Sequence, residues 1–204
     1  MRVGAVVLAA GGSTRFGKPK QFALFEGETF VRRIVRAAIE AGCAPVVVVT
    51  GEDSAQITSE LTRFAVTIAM NPGWSSGVGS SIRVGVQRAM DLAADLDASL
   101  LLSCDQPFVT AAVLAQLIQL RLTSGKPIVA SAYATTLGIP ALFDRFCFPD
   151  LLRLKEDSGA KKIILARPHD VVSFDFPAGE IDIDTVADYK KLYQPLAADG
   201  TRSG

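Results

Sequence analysis

Hydrophobic positions fall into short apolar runs separated by amphipathic stretches, and most runs end in glycine, serine or proline. The run VGAVVLA from Val3 lacks polar alternation and predicts a strand covered on both faces. Thr29 can cap a helix over 29–41, with Val31, Ile34, Val35, Ala38 and Ile39 on one face and Gly42 ending it. PVVVVT from Pro45 predicts a second strand, 53–61 a short helix and 66–70 a third strand. A glycine- and serine-rich loop, NPGWSSGVGSS from Asn71, leads into a helix over 80–94. The strand ASLLLSC then runs into DQPFVT, Thr110 caps a helix to about 123, and PIVASAY from Pro127 predicts another strand. Beyond Tyr133 come GIPALF, helices near 144–154 and 159–166, the short strands VVSFDF and EIDID, and a helix from Thr185 to about 193.

This alternation predicts an α/β protein, a three-layer αβα sandwich with a mostly parallel mixed sheet and a Rossmann-like outline. No repeat, linker or low-complexity block divides residues 1–204, so one domain is expected, with a disordered tail from about 195. Ligands of such sheets bind beyond the carboxyl ends of the strands. The loops after Ala9, Met70 and Cys104 all leave predicted strand ends, so one rim should carry all three.

Charge narrows the partners. Lys and Arg number 21 and Asp and Glu number 21, so no global positive field draws in nucleic acid and any basic function is local. Cys43, Cys104 and Cys147 are odd in number and lack CxxC spacing, which argues against a disulfide framework or a zinc site and fits a reducing cytoplasm. The N-terminal apolar stretch is too short for a secretory signal and runs directly into glycines, and no run is long enough to span a membrane. A soluble cytoplasmic protein is expected, with no nucleic-acid or membrane partner.

The candidate chemistry begins at VVLAAGGSTRFGKPKQ, from Val6. It matches neither the dinucleotide fingerprint nor the Walker pattern, yet offers consecutive N–H groups over 11–14 with Arg15, Lys18 and Lys20 close by. The plain alternative is a tight turn with surface cations. Asp105, at a strand end and followed by Pro107, suits a magnesium ion, though a turn or cap residue would read alike. Asp182 and Asp184 alternate with isoleucines and share one strand face. His169, the only histidine, reads as solvated, Cys104 as the end of a strand, and Trp74 as either loop packing or a pocket wall.

Leu8 to Lys20 resembles L-A-A-G-x-S-x-R-x-G-x-x-K, the signature of the nucleotidyltransferases of the glycosyltransferase-A-like class. Four further stretches follow in that class's order: NPGWSSGVGSSIRVG, DQPFVT, GIPALF with DSGAKKII, and IDIDTVADY. The chain is most similar to the molybdenum cofactor cytidylyltransferase group of the molybdopterin-type NTP transferases, over 5–190. It departs from the pattern at Lys161, where arginine is commoner, and at Glu156, where glycine is usual. PKQF is closer to the isoprenoid cytidylyltransferases.

The resemblance implies a nucleotidyltransferase fold and transfer of CMP from CTP to the phosphate of molybdopterin, with release of pyrophosphate. Arg15, Lys20 and Asp105 would be catalytic. Ala9, Ala10, Gly11, Gly12 and Ser13, with Arg15, Lys20, Asn71, Gly77 and Ser81, would bind the nucleotide. Asp105 and Asp184 would hold Mg2+, and a molybdoenzyme would receive the product. Ala10 points to CTP, because L-A-A-G accompanies the cytidylyl branch and L-A-G-G the guanylyl branch. Methylerythritol phosphate, a sugar phosphate or another NTP stay open as substrates. So does a non-catalytic module that holds a nucleotide or cofactor for delivery. A nicotinamide-dependent oxidoreductase fits less well, since the glycine spacing is wrong.

Overall fold

The computed structural model describes residues 1–11, 19–181 and 188–189. Its elements are β1 (Val3–Ala9), β2 (Leu24–Phe25), β3 (Glu28–Thr29), α1 (Phe30–Glu40), β4 (Val46–Thr50), α2 (Ser54–Glu60), β5 (Thr67–Met70) and α3 (Val78–Leu92). After these come β6 (Ala98–Ser103), α4 (Ala111–Ser124), β7 (Ile128–Tyr133), β8 (Thr136–Asp144), α5 (Phe148–Leu152), α6 (Lys161–Ala166) and β9 (Val171–Asp175).

Seven strands form one mixed sheet in the order β5-β4-β1-β6-β8-β7-β9. The pairs β1–β4, β1–β6, β4–β5 and β7–β9 are parallel, while β8 runs antiparallel to both its neighbours. Central strands of a parallel sheet are covered on both sides, which explains why β1 is apolar throughout. Its residues still alternate between faces. Val3, Ala5 and Val7 join the core with Ile34 and Val35 of α1, Ile57 of α2, and Leu114 and Leu117 of α4. Val6 joins the opposite core with Ile82 and Val86 of α3, Leu151 of α5, and Ile163 and Ile164 of α6. The three layers follow directly. Burying each such aliphatic side chain contributes about 1.5–3 kcal/mol.

Register sets the rim. Ala9 lies beside Thr50, Thr50 beside Met70, and Leu8 beside Ser103, so β5, β4, β1 and β6 end nearly level.

Several elements differ from expectation. A hairpin, β2–β3, turns at Glu26 (φ 52°) and Gly27 (φ 80°), the two left-handed residues of a tight two-residue turn. Strands of two residues leave no periodicity to read. Thr29 precedes α1 without capping it, and its hydroxyl donates to Glu60 Oε2 at 3.2 Å instead. Thr110 does cap α4, accepting from the Val113 N–H at 3.3 Å. The predicted 144–154 helix begins as the 3-10 turn Arg145–Cys147 and becomes α-helical only at Phe148. EIDID does not start a strand at Glu180, which closes the 3-10 turn Pro177–Glu180, and 182–184 lie outside the described residues. Of the predicted last helix, 188–189 are helical; 185–187 and 190–204, including the tail, lie outside the described residues. Among the described residues no helix is long and apolar enough to cross a membrane.

Candidate active site

A cavity of about 220 Å³ opens at the level strand ends. The end of β1 and the segment after it contribute Leu8, Ala10, Gly11, Lys20 and Gln21 to its lining, and the end of β6 and the residues after it contribute Ser103, Cys104 and Asp105. Trp74, Val78 and Ser81 supply a third side, and Ile139 of β8 completes it. Ala10, Gly11, Lys20, Ser81 and Asp105, separated by up to 95 positions, are thus brought together as the sequence anticipates.

The electrostatic centre is an ion pair across the mouth. Lys20 Nζ donates to Asp105 Oδ2 at 2.6 Å, with both side chains only 16% exposed. Ser103 sits two residues before Asp105, and its hydroxyl donates to Asp105 Oδ1. Lys20 is positioned by the 3-10 turn Lys20–Phe22, which Gln21 anchors by donating from Nε2 to Asp53 Oδ2 at 2.7 Å. Asp105 is positioned by its neighbour Gln106. This buried amide donates to the carbonyls of Ile139 at 3.0 Å and Gly179 at 3.1 Å. Burial pushes the Cys104 thiol up to about 12, so it stays protonated at neutral pH and is no nucleophile there.

The loop before α3 is held from within. Asn71 is buried, and its Nδ2 donates to Ser80 Oγ at 2.9 Å and Ser81 Oγ at 3.0 Å while Oδ1 accepts from the Gly73 N–H at 3.0 Å. A second clamp fixes the helix start. The Gly79 N–H donates to the Glu156 carbonyl at 2.9 Å. A Cβ at Gly77 would stand 2.2 Å from that oxygen, and one at Gly79 would stand 2.0 Å from the Lys155 carbonyl oxygen. Gly77 also has φ 135°, so both positions exclude side chains. Trp74 is at once loop packing and wall: its indole lies over Gly51, where a Cβ would come within 2.8 Å of the ring, and it lines the cavity.

Other anticipated site residues have different placements. Ala9 is 2% exposed and ends β1 within the core, not among the residues that line the cavity. Asn71 and Gly77 shape the loop rather than line the cavity. Gly12, Ser13, Arg15, Asp182 and Asp184 lie outside the described residues. His169 lies in the surface turn Pro168–Asp170, where its carbonyl accepts from Lys126 Nζ at 2.7 Å. Gln21, Ser103, Val78 and Ile139 were not singled out from sequence. Only Gln21, inside PKQF, and Ser103, near the end of the ASLLLSC run and two residues before Asp105, carried a signal.

Among the described residues no three His, Cys, Asp or Glu groups form a metal cluster, and Asp105 is the one carboxylate on the cavity wall. Its hard oxygens suit magnesium or manganese, which would compete there with the Lys20 ammonium.

The mixed sheet thus carries one cation and one carboxylate of the described residues, Lys20 and Asp105, in the cavity at its carboxyl rim. Residues 5–171 match the MobA-like NTP transferase domain, and the chain belongs to that family. It is 28% identical to the nicotine blue oxidoreductase of Paenarthrobacter nicotinovorans, over 93% of this chain and 96% of that protein. Rv0371c of Mycobacterium tuberculosis H37Rv is similar in structure, with a TM-score of 0.77 and 27% identity over 94% of this chain and 98% of that one. That protein has also been solved in complex with manganese, at 26% identity over 96% of this chain and 100% of that one, with a TM-score of 0.75. A nucleotidyl transferase from Methanothermobacter thermautotroptrophicus, 21% identical over 94% of this chain and 95% of that one, shares the fold with a TM-score of 0.77.

Proposed function

We propose that the protein transfers CMP from CTP to the phosphate of molybdopterin in a magnesium- or manganese-dependent reaction. The observation that carries this reading is the Lys20–Asp105 pair in one cavity with Ala10 and Gly11. An acceptor phosphate oxygen attacks the α-phosphorus of CTP, the bond from that phosphorus to the bridging β-phosphate oxygen breaks, and pyrophosphate leaves with its electron pair. A phosphate monoester is already ionised at neutral pH, so the step needs no general base, and no histidine lines the cavity among the described residues. Catalysis then rests on positioning and charge stabilisation.

Lys20 faces the phosphates and stabilises the charge developing on the transferring group and on pyrophosphate. Gly11, Gly12, Ser13 and Arg15 complete the phosphate site in this reading. Asp105, with Asp184, would hold the divalent cation, which when bound offsets the charge of the triphosphate. The ion pair suits an exchange: the cation takes the carboxylate while the phosphates take the ammonium. Ala10, on the cavity wall, favours a pyrimidine base. Methylerythritol phosphate and sugar phosphates are the alternative acceptors. A cytoplasmic reaction with the product handed to a molybdoenzyme belongs to the same proposal.

The test is pyrophosphate release measured with each of the four NTPs, either metal and each candidate acceptor. Release that requires CTP and molybdopterin is the expected result. The name of the curated relative supplies the contrasting arm. Turnover of a reduced nicotinamide cofactor with no pyrophosphate from any pair would overturn the proposal in favour of an oxidoreductase. Nucleotide binding without either turnover would leave a carrier.

A further inference from the structure

A second basic site stands outside the catalytic cavity. A groove of about 400 Å³ runs between α5 and α6, over an apolar floor that includes Leu154 and Ile163. Its rim carries Arg153, Lys155, Lys162 and Arg167 against one carboxylate, Asp150. That carboxylate is already engaged, because Asp150 Oδ2 accepts from Arg167 Nη2. Arg167 is held further by Asp170 at 3.3 Å and by the Phe146 ring, 5.2 Å from its guanidinium carbon. Arg153, Lys155 and Lys162 are exposed, and none has a carboxylate within ion-pair distance among the described residues. On a chain whose acidic and basic residues balance, this local excess of positive charge implies an anionic occupant.

We infer that Arg153, Lys155 and Lys162 form a second site for a phosphate-bearing anion, and that its occupancy is felt at the catalytic cavity. An arginine fork with two lysine point charges suits a multiply charged phosphate better than a single carboxylate. The coupling route is short. The backbone of the residues that carry two of these cations runs straight into the clamp on α3. The Leu154 carbonyl accepts from Arg83 Nη1, the Lys155 carbonyl abuts Gly79, and the Glu156 carbonyl accepts the Gly79 N–H. Val78 and Ser81, on either side of Gly79 and Ser80, line the catalytic cavity. An anion that draws Arg153 and Lys155 toward Lys162 pulls on this clamp. Two sources share the chemistry, free pyrophosphate and the phosphate chain of a nucleotide. The inference does not depend on which acceptor the transferase uses.

The experiment is titration calorimetry of the full chain with pyrophosphate and, separately, with CTP. Wild type is compared with Lys20→Met, Arg153→Ala/Lys162→Ala and Arg153→Lys/Lys162→Arg. Trp74, the only tryptophan, is followed by fluorescence. Thermal melts confirm that the exposed substitutions leave the fold intact. Pyrophosphate should bind at two sites per wild-type chain, one weakened by Lys20→Met and the other weakened at least about tenfold by the alanine pair, about 1.4 kcal/mol. The charge-conserving pair should retain the second site. In the Lys20→Met background, pyrophosphate should still alter Trp74 emission, and adding the alanine pair should abolish that response. CTP filling both sites would identify the nucleotide chain as the source, and CTP filling only one would identify the free anion. A single pyrophosphate site indifferent to the alanine pair would overturn the inference. A second site with no Trp74 response would overturn the coupling.

Discussion

Replacing Asp105 with asparagine keeps the shape of the side chain and removes its charge, so it separates what the carboxylate does for the fold from what it does for the reaction. In the fold, Lys20 loses an ionised partner at 2.6 Å. A hydrogen bond between charged groups contributes about 1.5–3 kcal/mol. With both side chains 16% exposed, water re-solvates part of the ammonium, which places the loss near the low end, about 1.5 kcal/mol. For a chain of this size that lowers Tm by about 3–6 °C. In the reaction, loss of a preorganised charge should cost about 100- to 1,000-fold in turnover, roughly 2.7–4 kcal/mol. The assay pairs thermal melts with pyrophosphate release for Asp105→Asn, Lys20→Met and the double variant. The two single losses in stability should be non-additive by about 1 kcal/mol, because either substitution breaks the same bond. Additivity to within about 0.3 kcal/mol would show that the pair is not coupled in solution. Turnover above about a tenth of wild type in Asp105→Asn would remove the carboxylate from the reaction.

How far this site was legible in the sequence depends on the kind of contact. The rim was legible because parallel strands covered on both faces leave unbroken apolar runs, and the residues after them, Gly11, Asn71 and Asp105, stand out as breaks. Asn71 illustrates where such reading stops. A polar residue in a glycine-rich loop reads as a ligand contact, yet its amide is taken up by Ser80, Ser81 and Gly73 within the loop. No local pattern tells a polar side chain that faces a ligand from one that closes its own turn. The clamp of Lys155 and Glu156 on Gly77 and Gly79 was invisible for another reason: it is made by backbone atoms far apart in sequence, and only its glycines leave a trace. The Lys20–Asp105 pair spans 85 positions, and sequence named both residues without indicating that they touch. The alternation in EIDID read as a strand, but the turn from Pro177 carries through Glu180, and 182–184 lie outside the described residues. Gly12, Ser13, Arg15 and Asp184 remain readings from sequence.

Three further tests follow from the geometry. Gly79→Ala places a Cβ 2.0 Å from the Lys155 carbonyl oxygen, so the clamp must open. A stability loss of about 1–3 kcal/mol and a raised KM for CTP are expected, and an unchanged melt would refute the close approach. Burial pushes Cys43 and Cys104 up to about 12 and Cys147 to about 11, against 9.0 for a free thiol. The unfolded chain therefore gives up these protons first, so their contribution is whole below pH 9 and is lost as pH rises toward 11–12, at about 1.4 kcal/mol per thiol per unit. Urea melts at pH 8 and pH 10 measure this, and a Cys43→Ala variant with the wild-type alkaline slope would refute it. The last test concerns the base. Ala10, 8% exposed, lines the cavity, and in the proposed reading its methyl group limits the room for a purine. CTP should exceed GTP by at least about tenfold in kcat/KM, about 1.4 kcal/mol, since unpaired polar edges and steric crowding both act against the wrong base. Ala10→Gly removes only the crowding, so it should narrow the gap without reversing it, because Trp74, Val78 and Ser81 still wall the other side. A wild-type preference for GTP or ATP would refute the cytidylyl assignment while leaving the chain in its transferase family.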